Sequence, residues 1–433
     1  MKEQALHVVR RLQDAGYQAV FAGGAVRDQL LGIPCHDIDV ATNASPDAVE
    51  ALFSHTVAVG KAFGVIVVLL DGVEIEVATF RSDGDYSDGR RPDSVTFTTM
   101  EDDARRRDLT INGLFFDPIK EQYYDFVGGQ EDLKQGLIRL IGDPDQRIAE
   151  DRLRMLRVIR FASRFNFPIE KGTLEAVARH APSILKVSAE RIADEFLKIL
   201  RTRRFRMALD LLFQTGLISK ILPEVMTMKG CEQPVDYHPE GDVLTHTILA
   251  LEATPEDASD TLLMAVLLHD VGKPPTQTFE DRIRFNQHEI RGQHMTEKIL
   301  QRFKFSNEFI ERVTALVGNH MKFMHVKDMR ISRLKRFMTM PYFEEHMALH
   351  RVDCLSSHGA LDNYEFVQKR LGAYEPEELK PPRIITGHDL IALGYAQGRE
   401  LGEVLAEIEE KQLEGEILTH EQAMEFAKNR SIQ

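Results

Sequence analysis

GGAVRD, Gly23–Asp28, stands nine residues ahead of DIDV, Asp37–Val40. A short apolar run, Ala19–Ala22, leads into the glycine pair, and the alternation of DIDV predicts a strand. Two carboxylates at i and i+2 on a strand share one face, a few ångströms apart. Like charges that close raise each other's pKa unless a divalent cation sits between them. Magnesium, a hard cation, takes one or two carboxylates together with phosphate oxygens of a substrate. The glycines let backbone N–H groups approach a polyphosphate, and Arg27 offers it a guanidinium fork. A lone D-x-D is common on surface strands and a lone Gly-Gly is usually a turn. The two in this order and spacing point to metal-dependent phosphate chemistry.

Downstream, Val65–Leu70 is continuously apolar and Val73–Val77 alternates, so both are predicted strands. Ser82–Asp93 (SDGDYSDGRRPD) is a polar, glycine-punctuated loop. From Ile148 the apolar spacing is helical almost to the end, and strand signals are scarce. The predicted plan is α+β: a mixed-sheet head over 1–142, a helical neck over 143–230, a further helical module over 231–370 and a helical tail over 371–433. Thr227–Gly241 is expected to be a linker or long loop.

The 433 residues carry 54 Lys+Arg against 68 Asp+Glu, a net charge of −14, and are 43% hydrophobic and 28% charged. That composition argues against wholesale disorder, and no apolar run reaches the roughly 18–20 residues of a membrane helix. Cys35, Cys231 and Cys354 are solitary, which argues against a disulfide framework or a thiolate metal site. The opening MKEQALHVVRRLQDAG predicts an amphipathic helix without a signal-peptide core, so the cytoplasm is the expected location. Charge is uneven along the chain. Residues 139–206 hold 16 Lys+Arg against 9 Asp+Glu, and residues 371–433 hold 6 against 13. A basic middle suits a phosphate backbone; the acidic tail does not.

Two further runs carry chemistry. In EDRLRMLRVIRFASRF, Glu150–Phe165, a helical wheel gathers Met155, Val158, Ile159, Ala162 and Phe165 on one face. Arg157, Arg160 and Arg164 fall largely opposite. Asp151 lies within the apolar sector and Arg154, one turn on, at its edge. Taken alone, that acid is equally well a stabilising charge in a helix's first turn. Far downstream, TLLMAVLLHDVGKP places His269-Asp270 at the end of an apolar helix, with Gly272 as its stop signal. His246 precedes it; His288, His320 and Asp353 follow. Imidazole and carboxylate ligands suit Mn, Fe, Co, Ni or Zn, and a water bound there becomes a nucleophile toward phosphate. His294, His325 and His346 are expected to be ordinary.

On these residues the chain resembles the nucleotidyltransferase superfamily of DNA polymerase β, specifically the class II bacterial tRNA CCA-adding enzymes and poly(A) polymerases. Gly23, Gly24, Arg27, Asp28, Asp37 and Asp39 match the family's opening motif. The resemblance implies a polymerase-β-like head, magnesium on Asp37 and Asp39, and a third catalytic carboxylate carried over to Glu76, with Glu74 on the same face as its rival. Two-metal catalysis follows from it: one ion serves the RNA 3′-hydroxyl and the other the triphosphate. RRRDLTINGLFFD, Arg105–Asp117, resembles the motif contacting sugar and phosphates, with Arg107, Asp108 and Asn112 at matching positions. Leu109 and Gly113 depart from its more usual phenylalanine and alanine.

The E-D-x-x-R pattern implies that Asp151 and Arg154 read the edge of the incoming base, with Arg157 and Arg160 in the same nucleotide site. VSAERI, followed by Glu195, resembles the next motif, with Ser188 as helix N-cap and an Arg191–Glu195 pair one turn apart. The histidine run resembles an HD domain and implies a second divalent metal on His246, His269, Asp270, His288, His320 and Asp353. The implied activity is addition of CMP, CMP and AMP from CTP and ATP to the 3′ end of tRNA, with no membrane partner and the oligomeric state open. An A-adding enzyme or poly(A) polymerase is the same-class alternative; the loop Ser82–Pro92 argues against a C-only enzyme. An HD-type phosphohydrolase with a nucleotide-sensing head is the different-class alternative, and a non-catalytic RNA-binding scaffold a third. The head's carboxylate set stands against both.

Overall fold

The computed structural model describes residues 1–35, 37–84, 94–234 and 238–430, so most of the loop at 82–92 lies outside the described residues. The chain divides into two compact units, Met1–Met226 with Arg302–Phe305, and Thr227–Gln301 with Ser306–Gln433. Among the described residues no helix is long and apolar enough to cross a membrane.

The first unit opens with α1 (Lys2–Asp14), whose Ala5, Val8, Val9 and Leu12 are fully buried at helical spacing. Then come β1 (Ala19–Ala22), α2 (Gly24–Leu30), β2 (Asp39–Thr42), α3 (Pro46–Leu52), β3 (Thr56–Gly60), β4 (Val65–Leu70) and β5 (Val73–Thr79). A short β6–β7 ribbon (Arg81–Asp83, Val95–Phe97), α4 (Met100–Arg106), β8 (Leu114–Asp117), β9 (Gln122–Asp125) and α5 (Gly129–Gln135) complete the head. Seven strands form one sheet in the order β3-β4-β5-β2-β1-β8-β9. Within it only β2 and β5 run parallel, Val40 opposite Val77; β1 and β2 are antiparallel, Ala22 opposite Asp39. One face is packed by Val20, Ala22, Ala41, Phe80 and Phe115 with Met100 and Ala104 of α4.

The rest of the unit is helical: α6 (Pro144–Glu150), α7 (Arg154–Phe165), α8 (Lys171–His180), α9 (Ala189–Leu200), α10 (Phe205–Gln214), α11 (Ile218–Ile221) and α12 (Pro223–Met226). Met155, Val158, Ile159 and Ala162 are fully buried, as the wheel predicts. Two expectations are corrected. Glu150–Phe165 is not one helix, because the chain breaks at Asp151–Leu153, so Asp151 caps the C-terminus of α6 and lies on no helical face. Ser188 stands at the N-cap of α9 without a side-chain capping bond, and Arg191 and Glu195 do not pair with each other.

The second unit holds α13 (Val243–Glu252), α14 (Asp260–Leu268), α15 (Lys273–Thr276), β10 (Gln277–Phe279), β11 (Ile283–Phe285), α16 (His288–Arg302), α17 (Asn307–Asn319) and a 3₁₀ stretch, His320–Asp328. It continues through α18 (Ile331–Met338), α19 (Phe343–Ser356), α20 (Asp362–Leu371), α21 (Pro376–Leu379), α22 (Gly387–Ala392), α23 (Arg399–Glu414) and α24 (His420–Arg430). The β10–β11 hairpin interrupts what the sequence predicts as a helical module with scarce strand signals. Every residue of α14 from Thr261 to Leu268 is buried, which is why its sequence is apolar all round. Gly272 is not a stop signal with left-handed backbone: its φ is −80°. A Cβ there would lie 2.1 Å from the His288 carbonyl oxygen and 2.6 Å from the Gly292 nitrogen, so glycine is required by contact with α16.

Candidate active site

The sheet register brings the head's acidic residues to one edge. Ala22 opposite Asp39 sets the glycine pair beside the start of β2. Continuing the Val40–Val77 pairing by one residue sets Glu76 beside Asp39, whereas Glu74 lies beyond the end of β2. The register therefore favours Glu76 over Glu74. Burial, then Asp37 and Glu76, push the Asp39 carboxyl up to about 6, with Arg107 opposing them. Three hard oxygen donors whose mutual repulsion raises a pKa fit a divalent cation.

Gly23 adopts φ +63°, and a Cβ on it would fall 2.7 Å from Nη1 of Arg107. Glycine thus serves both the backbone turn and the close approach of that arginine. Beside it lies a cavity of about 570 Å³ lined by Gly23, Gly24, Asp108, Asn112, Asp151 and seven arginines, with Phe161 on one wall. Five of those arginines were not sought together by any single motif: Arg27 from α2, Arg81 from β6, Arg107 after α4, Arg154 from α7 and Arg191 from α9. Asp37, Asp39, Glu76 and Arg160 are not in this lining.

The arginines are held by specific partners. Arg27 is buried; its Nε donates to Asp28 Oδ1 at 2.7 Å and its Nη1 to Asn112 Oδ1 at 2.5 Å, while Phe161 and Phe165 cover it. Its fork bonds Asp28 and Asn112 while the side chain lines the cavity. Burial pulls its pKa below the usual guanidinium value, against Asp28. Asp108 accepts from the Leu109 N–H at 2.8 Å, Asn112 Nδ2 at 3.0 Å and Arg157 Nε at 2.6 Å. Burial alone would raise its carboxyl, but Arg157 and these donors hold it well below the usual carboxylate range. Arg107 bonds Asp103 and reaches the Asn112 carbonyl at 3.4 Å.

Arg157, Arg160 and Arg164, which the wheel sets largely opposite the apolar face, pair with Asp108, Glu195 and Asp28 respectively. Arg160 faces the buried Glu195 and not the cavity. Asp151 accepts from the Leu153 N–H at 3.0 Å and from Arg191 at 2.7 Å. Arg154 is buried, bonded to Glu150 and to the Arg147 carbonyl at 2.6 Å. Sequence reasoning missed Arg81, Arg106 and Phe161 as lining residues and gave Arg191 another partner. A basic residue beside an apolar run gives no signal of which acid it meets across the fold.

In the second unit all six expected residues converge. Ligand atoms of His246, His269 and Asp353 lie within 4.8 Å of one another, as do those of Asp270, His288 and His320. His246 and His269 are buried at the ends of α13 and α14, and His288 and His320 on α16 and after α17. Burial opposes charge on His246, yet Asp353 and Glu240 together push it up to about 9. Burial and the neighbouring imidazoles pull His320 down to about 4. Imidazole and carboxylate side chains gathered this closely are a metal-ligating donor set. His294, His325 and His346 stay outside the cluster.

Within Thr227–Gly241, expected to be a linker, Glu240 accepts from Nδ1 of His246 at 2.8 Å and Gln233 accepts from Lys273 at 2.7 Å. A carboxylate behind a ligating histidine orients it. Proline and glycine there hide that role. A cavity of about 440 Å³ opens over Asp270, His288, His320 and Asp353.

Residues 19–139 match the Poly A polymerase head domain family and residues 289–427 the tRNA nucleotidyltransferase domain 2 family. The CCA-adding enzyme of Enterococcus faecalis is 34% identical over 429 residues, covering 98% of this chain and 95% of that enzyme. The CCA-adding enzyme of Geobacillus thermodenitrificans is 46% identical over 222 residues, 51% of this chain; that match spans about half (54%) of the relative's length. Among solved structures, the Bacillus stearothermophilus CCA-adding enzyme in complex with CTP is 26% identical, with a TM-score of 0.76 over 99% of this chain and 97% of that one. The Thermotoga maritima CCA-adding enzyme complexed with tRNA, 21% identical at a TM-score of 0.59, shares the fold. With its glycine turn, acidic strand edge and arginine-lined cavity in one compact unit, and with 34% identity to the Enterococcus enzyme across nearly the whole of both chains, this chain belongs to the CCA-adding enzyme family of nucleotidyltransferases.

Proposed function

We propose that this chain is a template-independent tRNA nucleotidyltransferase of the cytoplasm, adding CMP, CMP and AMP from CTP and ATP to the tRNA 3′ end. The observation that carries this reading is the cavity of about 570 Å³ in which seven arginines face a glycine pair beside three carboxylates. Its volume suits a nucleotide, and its excess of positive charge suits a triphosphate. Residues 1–142 act as the transfer head and 143–230 as the basic, RNA-binding neck. Residues 231–370 form the HD module, and the acidic 371–433 a helical tail that serves packing or tRNA shape.

Nucleotidyl transfer in this family uses a divalent metal. Magnesium would be held by Asp37 and Asp39, with Glu76 completing the set, and would neutralise the triphosphate and leaving pyrophosphate while favouring the 3′-alkoxide. Backbone N–H groups at Gly23 and Gly24 approach the phosphates, and Arg107 adds charge where its guanidinium bridges Asp39's edge and the cavity. Asn112, steadied by Arg27 and Asp108, sets the sugar position. Asp151 accepts from the exocyclic amine of C or A and Arg154 donates to ring acceptors, each exchanging a partner it holds in the free protein. The test uses tRNA transcripts ending before the CCA, after its first C and after its second C, offered CTP, ATP or both. Complete CCA on all three supports the reading; addition only of A, only to the transcript ending in CC, assigns the A-adding alternative.

A second site reading rests on the six converging side chains of the other unit. His246, His269, Asp270, His288, His320 and Asp353 hold a divalent transition metal in an HD-type phosphohydrolase site, alongside the transferase and not in place of it.

A further inference from the structure

MEDDARRR, Met100–Arg107, sets three acids ahead of three arginines, and the fold gives each acid a different task. Glu101 pairs with Arg105 on the surface at 2.6 Å, and Asp102 accepts from the hydroxyls of Thr98 and Thr99 at 2.5 and 2.9 Å. Asp103 is the inward one, 1% exposed. Residues three and four positions on share its helical face. α4 ends at Arg106, and Arg107 leaves it in extended backbone, ψ 168°. Asp103 Oδ1 lies 2.8 Å from Nε and 2.7 Å from Nη2 of Arg106. Its Oδ2 lies 3.2 Å from Nε and 3.0 Å from Nη2 of Arg107. Oδ1 also accepts the Arg81 N–H at 3.3 Å, which ties the first residue of β6 to the same carboxylate.

Two guanidiniums on consecutive residues repel each other, and nothing local holds them together. Here one buried carboxylate grips both along the same Nε–Nη2 edge, leaving Nη1 of each outside the grip. Nη1 of Arg107 reaches the Asn112 carbonyl at 3.4 Å and stands 2.7 Å from where a Cβ on Gly23 would fall. Arg81, Arg106 and Arg107 all line the cavity of about 570 Å³, and Asp103 does not. Burial alone would raise the Asp103 carboxyl, but Arg107 and Arg106 hold it below its usual value. One negative charge shared between two arginines leaves the pair net positive toward the cavity.

We propose that Asp103 is the positioning residue of the nucleotide site: from behind the cavity wall it fixes Arg106 and Arg107, and through the start of β6 also Arg81, in the arrangement that receives a triphosphate. The proposal rests on the reading of this cavity as the nucleotide site and deepens it. A guanidinium already bonded along one edge has little rotamer freedom left to lose when a phosphate arrives. Without that anchor the long side chains must be ordered at the moment of binding. The arginines meet phosphates, so the effect falls on the polyphosphate and not on the base.

The experiment titrates the full-length protein with CTP, ATP and CMP in magnesium by calorimetry, without tRNA. Asp103→Asn keeps the side chain's size and removes its charge. It is expected to weaken CTP and ATP alike by about tenfold or more, and CMP by no more than about twofold. Asp103→Ala should do the same. Both variants lose stability under any role, so the ratio of CTP to CMP affinity is the readout and the melting temperature is not. A ratio equal to the parent's overturns the assignment, and so does a loss confined to one of the two triphosphates. A parent protein that binds neither triphosphate overturns instead the reading of the cavity. Arg106→Ala and Arg107→Ala leave the carboxylate in place and are expected to lose the same preference for triphosphate. If both keep it, the proposal falls even where the Asp103 variants do not fold.

Discussion

Asp39 binds its proton more tightly in the folded head, at a pKa of about 6, than at the ordinary 3.8, because burial and two neighbouring carboxylates oppose its charge. The folded state is therefore favoured below about pH 4, and that advantage is lost as pH rises through 6. Asp39→Asn is expected to raise the metal-free protein's stability at pH 7.5 by about 1–3 kcal/mol, a gain that vanishes near pH 4 in thermal melts across that range. The same variant should lose roughly a thousandfold in nucleotide addition. Near-native addition with magnesium would remove Asp39 from the site. For Arg154→Ala, loss of the buried bonds to Glu150 and the Arg147 carbonyl costs stability under any role. Only base reading also predicts a shift in the CTP:UTP incorporation ratio, by about tenfold or more; competition at equal nucleotide concentrations checks it.

Elements differ in how much of their placement is visible in a linear string. The alternation of β5 and the apolar run of β4 are local periodicities, so both strands are legible. The break before α7 is not, because Asp151, Arg152 and Leu153 carry no proline or glycine, and one partner of Asp151 at the break, Arg191, lies 40 residues on. The pairing of Arg160 with Glu195 is likewise invisible, since it joins α7 to α9 across the core. Glu195→Ala is expected to cost about 3–5 kcal/mol by leaving Arg160 buried without its partner, with Glu195→Gln recovering part of it in urea melts. The histidine–aspartate cluster was legible as six residues but not as two sets, because which imidazole faces which depends on how α14 meets α16. Gly272→Ala should separate those helices, abolishing Mn(II) binding and lowering the second unit's midpoint while nucleotide addition persists.

At the scale of the whole molecule, two compact units predict two calorimetric transitions, one shifted by CTP with magnesium and the other by Mn(II). A single transition shifted by both would deny that independence. His269→Ala with Asp270→Ala is expected to leave nucleotide addition within about twofold of the parent, because neither residue belongs to the head's unit. One feature of the head reaches further, the parallel pairing of β2 with β5. Parallel neighbours need a crossover, and here the chain travels through α3, β3 and β4 before Glu76 can lie beside Asp39, 37 residues earlier. During synthesis the glycine turn and both aspartates emerge well ahead of that third carboxylate. Register then matters as much as arrival: a one-residue slip of β5 turns Glu76 to the opposite face. A partly made head therefore holds its nucleotide-contacting residues but not its closed acidic edge, and the chemistry stays withheld until the sheet is complete.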